Sequence, residues 1–181
     1  LFIGSDVIIS ALFGYGSFTE EAVTNSAQAL FYFGLGLPAF ALIKVFSTFF
    51  FANHDTKTPF YISLFSVILN VLISIYYFKS IGFIIIPIAT SISSWVNSIL
   101  LFIFLKNRDL FQFNEIFIIR FIKISFSSFL MGIFFKYVIT FFENQLVYDY
   151  YFKSFYLLLS VILGLIFYLL ISLVIKAFKY D

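Results

Sequence analysis

Apolar residues fill five long stretches of the chain, and short polar segments separate them. These stretches cover residues 28–51, 60–78, 81–105, 116–142 and 155–175. A helix rises about 1.5 Å per residue, so about 20 residues cross the roughly 30 Å hydrocarbon layer of a bilayer. The pattern therefore predicts an all-α fold, a polytopic transmembrane helix bundle with five full spans.

The first 13 residues are also apolar, but they are too few to cross a membrane. We expect residues 1–13 to be the end of a preceding helix, and the sequence to be a piece of a longer protein, since Leu1 is not an initiator Met and no signal peptide opens the chain. Ser17 is followed three residues later by Glu20, a spacing that predicts a capping box at the start of the next helix.

Composition supports the membrane interpretation independently. Hydrophobic residues make up 62% of the chain, charged residues 11%, and the mean hydropathy is +1.08, values that exclude a small soluble domain. The chain has no Cys, which excludes disulfides and thiolate metal sites. His54 is the only histidine. The sequence shows neither a nucleophile with a matching base nor a glycine-rich phosphate loop, so it contains no recognisable catalytic motif. We expect a transporter rather than an enzyme, and no nucleic-acid partner.

Basic residues predict the orientation of the helices, because positively charged loops stay in the cytoplasm. Most Lys and Arg residues fall on one set of alternating loops and helix ends: Lys57, Lys106, Arg108, Arg120, Lys123, Lys176 and Lys179. The opposite set holds Lys79, Lys136 and Lys153. The chain is therefore expected to start outside and to end with a cytoplasmic C-terminus.

The first span contains residues that a lipid-facing helix rarely carries. Gly34, Gly36 and Pro38 lie near its middle, and Pro38 removes one backbone hydrogen bond and clashes with the Gly34 carbonyl, which predicts a kink or hinge. Lys44 follows on the same helix, where a central lysine costs about 2.5 to 3.5 kcal/mol on insertion scales. Two interpretations of Lys44 stay open: it snorkels to the interface, or it faces an aqueous pathway used by an anionic substrate.

The second and third spans each place polar residues on one helical face. The stripes are Ser66, Asn70 and Ser74 on one helix and Thr90, Ser94 and Asn97 on the next. The short turn between the spans makes the helices antiparallel neighbours, so the stripes are expected to meet. They would form either interhelical hydrogen bonds or a small oxygen-lined cation site.

The fourth span has only twelve uncharged residues between Lys123 and Lys136. This is about 18 Å of helix, so both lysines must reach outward for the span to cross. Lys136 also shares a stripe with Ser125, Ser128 and Gly132, which leaves a groove-facing role open.

A polar loop separates the first two spans. It contains Asp55, Thr56, Lys57, Thr58 and Pro59. These residues favour turns, and proline suits the first turn of the following helix. The loop is predicted to cap a cytoplasmic hairpin; chemistry at the neighbouring histidine is the alternative.

At this loop the sequence resembles the MurJ (MviN) family of lipid II flippases. The resemblance rests on Gly-Leu-Gly-Leu-Pro-Ala-Phe at 34–40, Lys-Val at 44–45, Phe-Phe-Ala at 50–52, Asp-Thr-Lys-Thr-Pro at 55–59, and Leu-Phe-Gly-Tyr-Gly-Ser-Phe at 12–18. Agreement is looser around Asn70 and 88–90, and only the helix pattern matches from Lys106 onward.

The resemblance implies a fourteen-helix, two-lobed protein of the multidrug/oligosaccharidyl-lipid/polysaccharide exporter superfamily. This chain would supply the last five helices. The family moves the lipid-linked peptidoglycan precursor across the bacterial cytoplasmic (inner) membrane by alternating access. Implied partners are membrane lipid, the polyprenyl pyrophosphate-linked precursor and cell-wall synthesis proteins. The last two spans would hold the polyprenyl tail. The residues themselves, rather than the resemblance, make Lys44 and Lys136 the candidates for the substrate pathway.

The resemblance also implies a cation site, since some members bind sodium through the second and third spans. The matching positions are Asn70, Ser74, Ile86 through its carbonyl, and Thr90; Ser74 stands where the family offers an acid. No other cofactor is expected. Two other functions compete with the flippase: export of another lipid-linked saccharide or a drug, and a membrane scaffold subunit that transports nothing.

Overall fold

The structure, a computed structural model, describes residues 2–109 and 115–177 of the 181-residue chain. All regular elements in these two ranges are helical, which confirms the predicted all-α fold. The α-helices are α1 (Ser5–Phe13), α2 (Glu20–Ala52), α3 (Lys57–Ile81), α4 (Ile85–Asn107), α5 (Glu115–Phe141) and α6 (Lys153–Val174). Short 3₁₀ turns cover Gly82–Ile84 and Glu143–Gln145.

Helices α2 to α6 correspond to the five predicted spans. By length and hydropathy, four helical runs of the described chain could cross a membrane, and one of them, Lys57–Asn107, contains both α3 and α4. The predicted start of the third span at 81 was wrong: Ile81 ends α3, and α4 begins at Ile85. The reason is Gly82, whose φ of 76° stops the first helix and starts the turn.

The predicted capping box at Ser17 was also wrong. Helix α2 begins at Glu20, and the hydroxyl of Thr19 accepts a hydrogen bond of 3.3 Å from the Ala22 N–H. Thr19 therefore caps the helix, because it directly precedes the first helical residue and can reach an unpaired N–H of the first turn.

Contacts divide the described residues into two compact units, one of residues 28–109 and one that combines residues 3–27 with 115–177. In the first of these units, α2, α3 and α4 share an apolar core of Phe46, Phe50, Ile62, Leu101 and Leu105. This core fixes the end of α2 against the α3–α4 hairpin.

In the other unit, α5 packs along α6. A Cβ at Gly164 would lie 3.4 Å from Phe135, an ordinary van der Waals contact, and the rings of Phe134 and Phe167 stack 4.1 Å apart. Leu157 of α6 is buried with Ala11 of α1 and with Leu146, which precedes α6. Small residues on α6 thus let aromatic side chains of α5 approach closely.

Large apolar side chains remain exposed on every long helix. Val174 is 80% exposed, Tyr76 77% and Ile75 71%. Contiguous apolar surface on this scale is not compatible with water and is typical of helices that face lipid.

Candidate functional site

Two polar stripes meet along the α3–α4 hairpin. The Asn70 amide donates hydrogen bonds to the hydroxyls of Thr90 (3.1 Å) and Ser93 (3.2 Å). The Asn97 amide donates a longer bond of 3.4 Å to Ser63 Oγ. The chain turns back between these positions, so residues on the two helices pair in antiparallel order. Lipid offers no hydrogen-bond partners to these polar side chains, and they bond to one another instead.

A cavity of about 320 Å³ lies beside this seam, closed on one side by Phe40 and Ile43 of α2. Its polar lining consists of Ser63, Ser66, Asn70, Thr90, Ser93, Ser94 and Asn97. Asn97 is 7% exposed, and its Oδ1 is buried without a hydrogen-bond partner. Hydroxyl and amide oxygens are neutral ligands, and the lining residues that the structure describes include no Asp or Glu.

The four predicted cation ligands are only partly brought together. Asn70 bonds to Thr90, whose hydroxyl in turn donates to the Ile86 carbonyl at 2.8 Å. The Ser74 hydroxyl is buried without a hydrogen-bond partner and does not line the cavity. Within residues 2–109 and 115–177, no group of three or more His, Cys, Asp or Glu could hold a metal. Neutral donors that already bond to one another do not fit a tightly held cation.

Gly36 allows α2 and α4 to approach closely. The Ser91 hydroxyl donates a 2.5 Å hydrogen bond to the Tyr32 carbonyl, and the Trp95 indole donates a 2.9 Å bond to the Leu35 carbonyl. A Cβ at Gly36 would lie 2.9 Å from Ser91 Oγ and 3.2 Å from its Cα. A side chain at this position would therefore push the two helices apart.

Helix α2 continues through the predicted hinge. Gly34 and Gly36 are buried and Pro38 is exposed. Because Pro38 has no N–H, the Gly34 carbonyl lacks its usual intrahelical donor. The hydrogen bonds from Ser91 and Trp95 of α4 go to carbonyls beside Gly34. Helix α4 therefore supports α2 at the turn where one backbone hydrogen bond of α2 is missing. A hinge at this turn stays a prediction.

Lys44 and Lys136, the residues predicted on the substrate pathway, are both exposed. In the described ranges neither ammonium group forms an ion pair. Lys44 follows Ile43, which lines the seam cavity, but does not itself line it. Both side chains are therefore free to reach the interface or to meet an anionic group.

Asp55 organises the loop between α2 and α3. One carboxylate oxygen accepts 3.0 Å hydrogen bonds from the N–H groups of Lys57 and Thr58, and the other accepts from the Thr58 hydroxyl at 2.6 Å and from Arg108 at 2.5 Å. The Thr58 hydroxyl, the Thr58 N–H and the Arg108 guanidinium, in that order, hold the pKa of Asp55 well below its usual value of 3.8. These bonds hold the loop at the start of α3 and tie it to the end of α4. The predicted cytoplasmic cap between the first two spans stays a prediction.

The other residues of the loop support this cap. Thr56 directly precedes α3, and Pro59 lies buried in its first turn, where the missing N–H costs nothing. His54 adopts a positive φ of 57° in the turn that leaves α2. The contribution of Arg108 was not predicted from the sequence. Asp55 lies 27 residues before the turn at Gly82 and Arg108 lies 26 residues after it, so two antiparallel helices of equal length would place them side by side.

A family model described as lipid II flippase MurJ matches residues 1–158. The chain belongs to the lipid II flippase MurJ family. The predicted resemblance is thereby confirmed, and the MurJ family together with the apolar helices indicates a multi-pass inner membrane protein.

Relatives within the MurJ family are found in several bacteria. A "Probable lipid II flippase MurJ" of Rickettsia prowazekii is 42% identical over 102 residues, which are 56% of this chain and 20% of the relative. The corresponding protein of Thermotoga maritima is 36% identical over 128 residues, 71% of this chain and 25% of the relative. A "Lipid II flippase MurJ" of Burkholderia cenocepacia is 33% identical over 112 residues, which are 62% of this chain and 22% of the relative. The chain spans about a fifth to a quarter of the length of these curated relatives.

One buried charge in this MurJ-family chain was not anticipated. Lys153, the first residue of α6, is 1% exposed, and its ammonium donates to the carbonyls of Gly14 (2.6 Å) and Tyr148 (2.5 Å). It also lies over the rings of Tyr15 and Tyr148, 4.3 and 4.5 Å from their centroids. The adjacent Ser154 donates to the Ala11 carbonyl at 2.5 Å. These contacts join the connection after α1 to the start of α6.

Proposed function

We propose that the protein containing this chain is a lipid II flippase, which moves the polyprenyl pyrophosphate-linked peptidoglycan precursor across the cytoplasmic membrane by alternating access. The match of the family model to residues 1–158 carries this proposal. Flipping needs a polar route for the headgroup and an apolar surface for the lipid tail. Exposed apolar side chains along α5 and α6, such as Phe129 and Leu169, supply the kind of surface on which a polyprenyl tail would lie.

The α3–α4 hairpin is proposed to move as one rigid piece. It is held together in the middle by the bonds of Asn70 and at one end by Asp55 and Arg108. Helix α2 is proposed to bend against it at Gly34, Gly36 and Pro38. The Ser91 and Trp95 side chains would hold one bent state, because they bond carbonyls beside the proline-weakened turn.

Lys44 and Lys136 are proposed to lie on the substrate pathway, where their charge would favour the anionic pyrophosphate. Their exposure and their lack of an ion-pair partner in the described chain support this role. A sodium ion at Asn70, Ser74, Ile86 and Thr90 stays a prediction, and the proposed mechanism assigns it no step because these donors are neutral.

The orientation follows the charge rule: the Asp55–Arg108 end of the hairpin and the C-terminus are proposed to be cytoplasmic. Cell-wall synthesis proteins would then meet the protein at its loops, beside membrane lipid and the precursor.

Depletion in the native bacterium tests the function. Depletion should cause the lipid-linked peptidoglycan precursor to accumulate on the cytoplasmic side, and wild-type protein should reverse the accumulation. Accumulation of another lipid-linked saccharide, with normal precursor levels, would instead indicate an exporter of the same superfamily.

Two variants examine the proposed route in the same cells. Pro38→Ala should impair translocation more than membrane insertion, and Lys44→Ala should slow handling of the headgroup. Lys79→Ala, which removes an exposed lysine at the end of α3, is the matched control. Wild-type translocation by Pro38→Ala and Lys44→Ala at normal expression would remove both residues from the mechanism.

A further inference from the structure

Two helices present the same acid and hydroxyl pair toward a second cavity, away from the α3–α4 seam. Asp6 and Ser10 lie four residues apart on α1, and Glu20 and Thr24 lie four residues apart at the start of α2. A spacing of four places both members of a pair on one helical face. All four residues line a cavity of about 260 Å³.

The connection between α5 and α6 forms one wall of the cavity, which is open to the surface at the exposed residues Asp6, Glu20 and Thr24. Leu146 and Tyr148 of that connection complete the lining. The Tyr148 hydroxyl donates a hydrogen bond to the Phe18 carbonyl, which holds the connection against the segment that leads into α2. Three segments therefore build the cavity, and the Tyr148 bond joins two of them.

An unsatisfied polar group points to a missing ligand. Ser10 is only 8% exposed, and its Oγ is buried without a hydrogen-bond partner. Buried hydroxyls in folded proteins almost always have a partner, and an orphaned one indicates an unoccupied interaction. The oxygen of a serine hydroxyl suits a hard cation.

The charges lead to the same conclusion. Neither Asp6 nor Glu20 forms an ion pair within the described residues, where Arg108 and Asp55 are the pair found. The ammonium of Lys153 lies against the Tyr148 ring but donates to backbone carbonyls instead of these acids. Two carboxylates therefore border the cavity without a neutralising side chain.

We infer that this cavity binds a hard divalent cation, Mg²⁺ or Ca²⁺, through Asp6, Ser10, Glu20 and Thr24. The site holds two carboxylates rather than three or more, so water would have to supply further ligands. The cavity of about 260 Å³ has room for them, since one water occupies about 30 Å³. Mg²⁺ is commonly bound through one or two carboxylates while it keeps several waters, and weak Ca²⁺ sites have affinities of about 0.1 to 1 mM. The ion would link α1 to α2. This inference does not depend on the transported substrate.

Thermal unfolding of the purified full-length protein in detergent tests the site. After treatment with EDTA, MgCl₂ or CaCl₂ should raise the unfolding temperature saturably, with a midpoint of about 0.1 to 1 mM. NaCl at matched ionic strength should not reproduce this rise. A rise of equal size in NaCl, or no saturable rise with either divalent ion, would overturn the proposal; so would saturation by ethanolamine alone, which would indicate an ammonium site.

Neutral variants locate the ion. Asp6→Asn and Glu20→Gln should each raise the midpoint concentration about tenfold or more, because ligand charge sets the affinity of such sites. Glu21→Gln is the matched control, since Glu21 is an exposed acid beside Glu20 that does not line the cavity. An unchanged midpoint in both cavity variants, or an equal shift in the control, would contradict the assignment.

Ser10→Ala keeps the proposal testable if the acidic variants fail to fold. The Ser10 hydroxyl has no partner to lose, so the ion-free variant should unfold at or above the wild-type temperature. Its binding of Ca²⁺, measured directly by calorimetry, should be weaker than that of the wild type. Wild-type affinity in Ser10→Ala would exclude this hydroxyl as a ligand and overturn the site as proposed.

Discussion

Arg108, the residue after α4, donates a 2.5 Å hydrogen bond to Asp55, which lies two residues before α3. The same guanidinium donates to the Thr58 hydroxyl at 3.1 Å. This ion pair closes the hairpin at the end opposite Gly82. A two-helix unit that is fastened at both ends can move as one piece, which is the behaviour that the proposed mechanism requires.

The Asp55 carboxylate should make stability depend on pH. Its folded-state pKa lies below the usual 3.8, so its stabilising effect is present above pH 3.8 and is lost as the pH falls below that value toward the folded pKa. The unfolding temperature should fall in this acid range. In Asp55→Asn this part of the pH dependence should disappear, and an identical acid profile in the variant would contradict the assignment.

Removal of the Lys153 ammonium should destabilise the unit that contains α1 and α6. Lys153→Met keeps most of the side-chain volume but leaves the buried carbonyls of Gly14 and Tyr148 without this donor, at a cost of about 1 to 3 kcal/mol. Thermal unfolding in detergent measures the loss. Lys136→Met is the control, because Lys136 is exposed; equal stability of the two variants would show that the buried contacts contribute little.

A methyl group at Gly36 should separate α2 from α4. In Gly36→Ala the new Cβ would lie 2.9 Å from Ser91 Oγ, and overpacking of this kind costs about 1 to 3 kcal/mol. Fluorescence of Trp95, the single tryptophan, should report the altered contact with Leu35. Gly164→Ala, whose Cβ meets its neighbour at 3.4 Å, should be tolerated far better, and similar losses in both variants would contradict this account.

Loss of the Asn70 amide should weaken the hairpin. Asn70→Leu removes bonds to Thr90 and Ser93, at about 0.6 to 2 kcal/mol for each interhelical contact. It should also reduce precursor translocation, measured beside its membrane level. A membrane scaffold would tolerate the substitution, so full growth of cells that depend on Asn70→Leu would favour that alternative.

The sequence predicted those features that follow from local pattern. Long apolar stretches identified α2 to α6, and the four-residue spacing around Asn70 and Thr90 identified a seam that the hairpin then closes. Contacts between distant segments were out of reach. Lys153 was counted with the outer loops because it is charged. Its burial depends on the carbonyls of Gly14 and Tyr148, and no spacing rule places these beside it.

Helix ends were predicted less well, for physical reasons. Thr19 rather than Ser17 caps α2, because the turn at Gly16 with its φ of 61° delays the helix start. Helix α4 starts at Ile85 rather than at residue 81 because the 3₁₀ turn Gly82–Ile84 precedes it. Apolar side chains continue across the boundary between α3 and α4, so hydropathy alone cannot locate it.

Translocation of fluorescently labelled lipid II by the purified full-length protein in proteoliposomes tests the central claim most directly. The account predicts that labelled lipid II in the inner leaflet becomes accessible to an external quencher faster than in protein-free vesicles, and that Pro38→Ala reduces this rate at equal reconstitution. A rate equal to that of empty vesicles, from protein shown to be folded and inserted, would contradict the account.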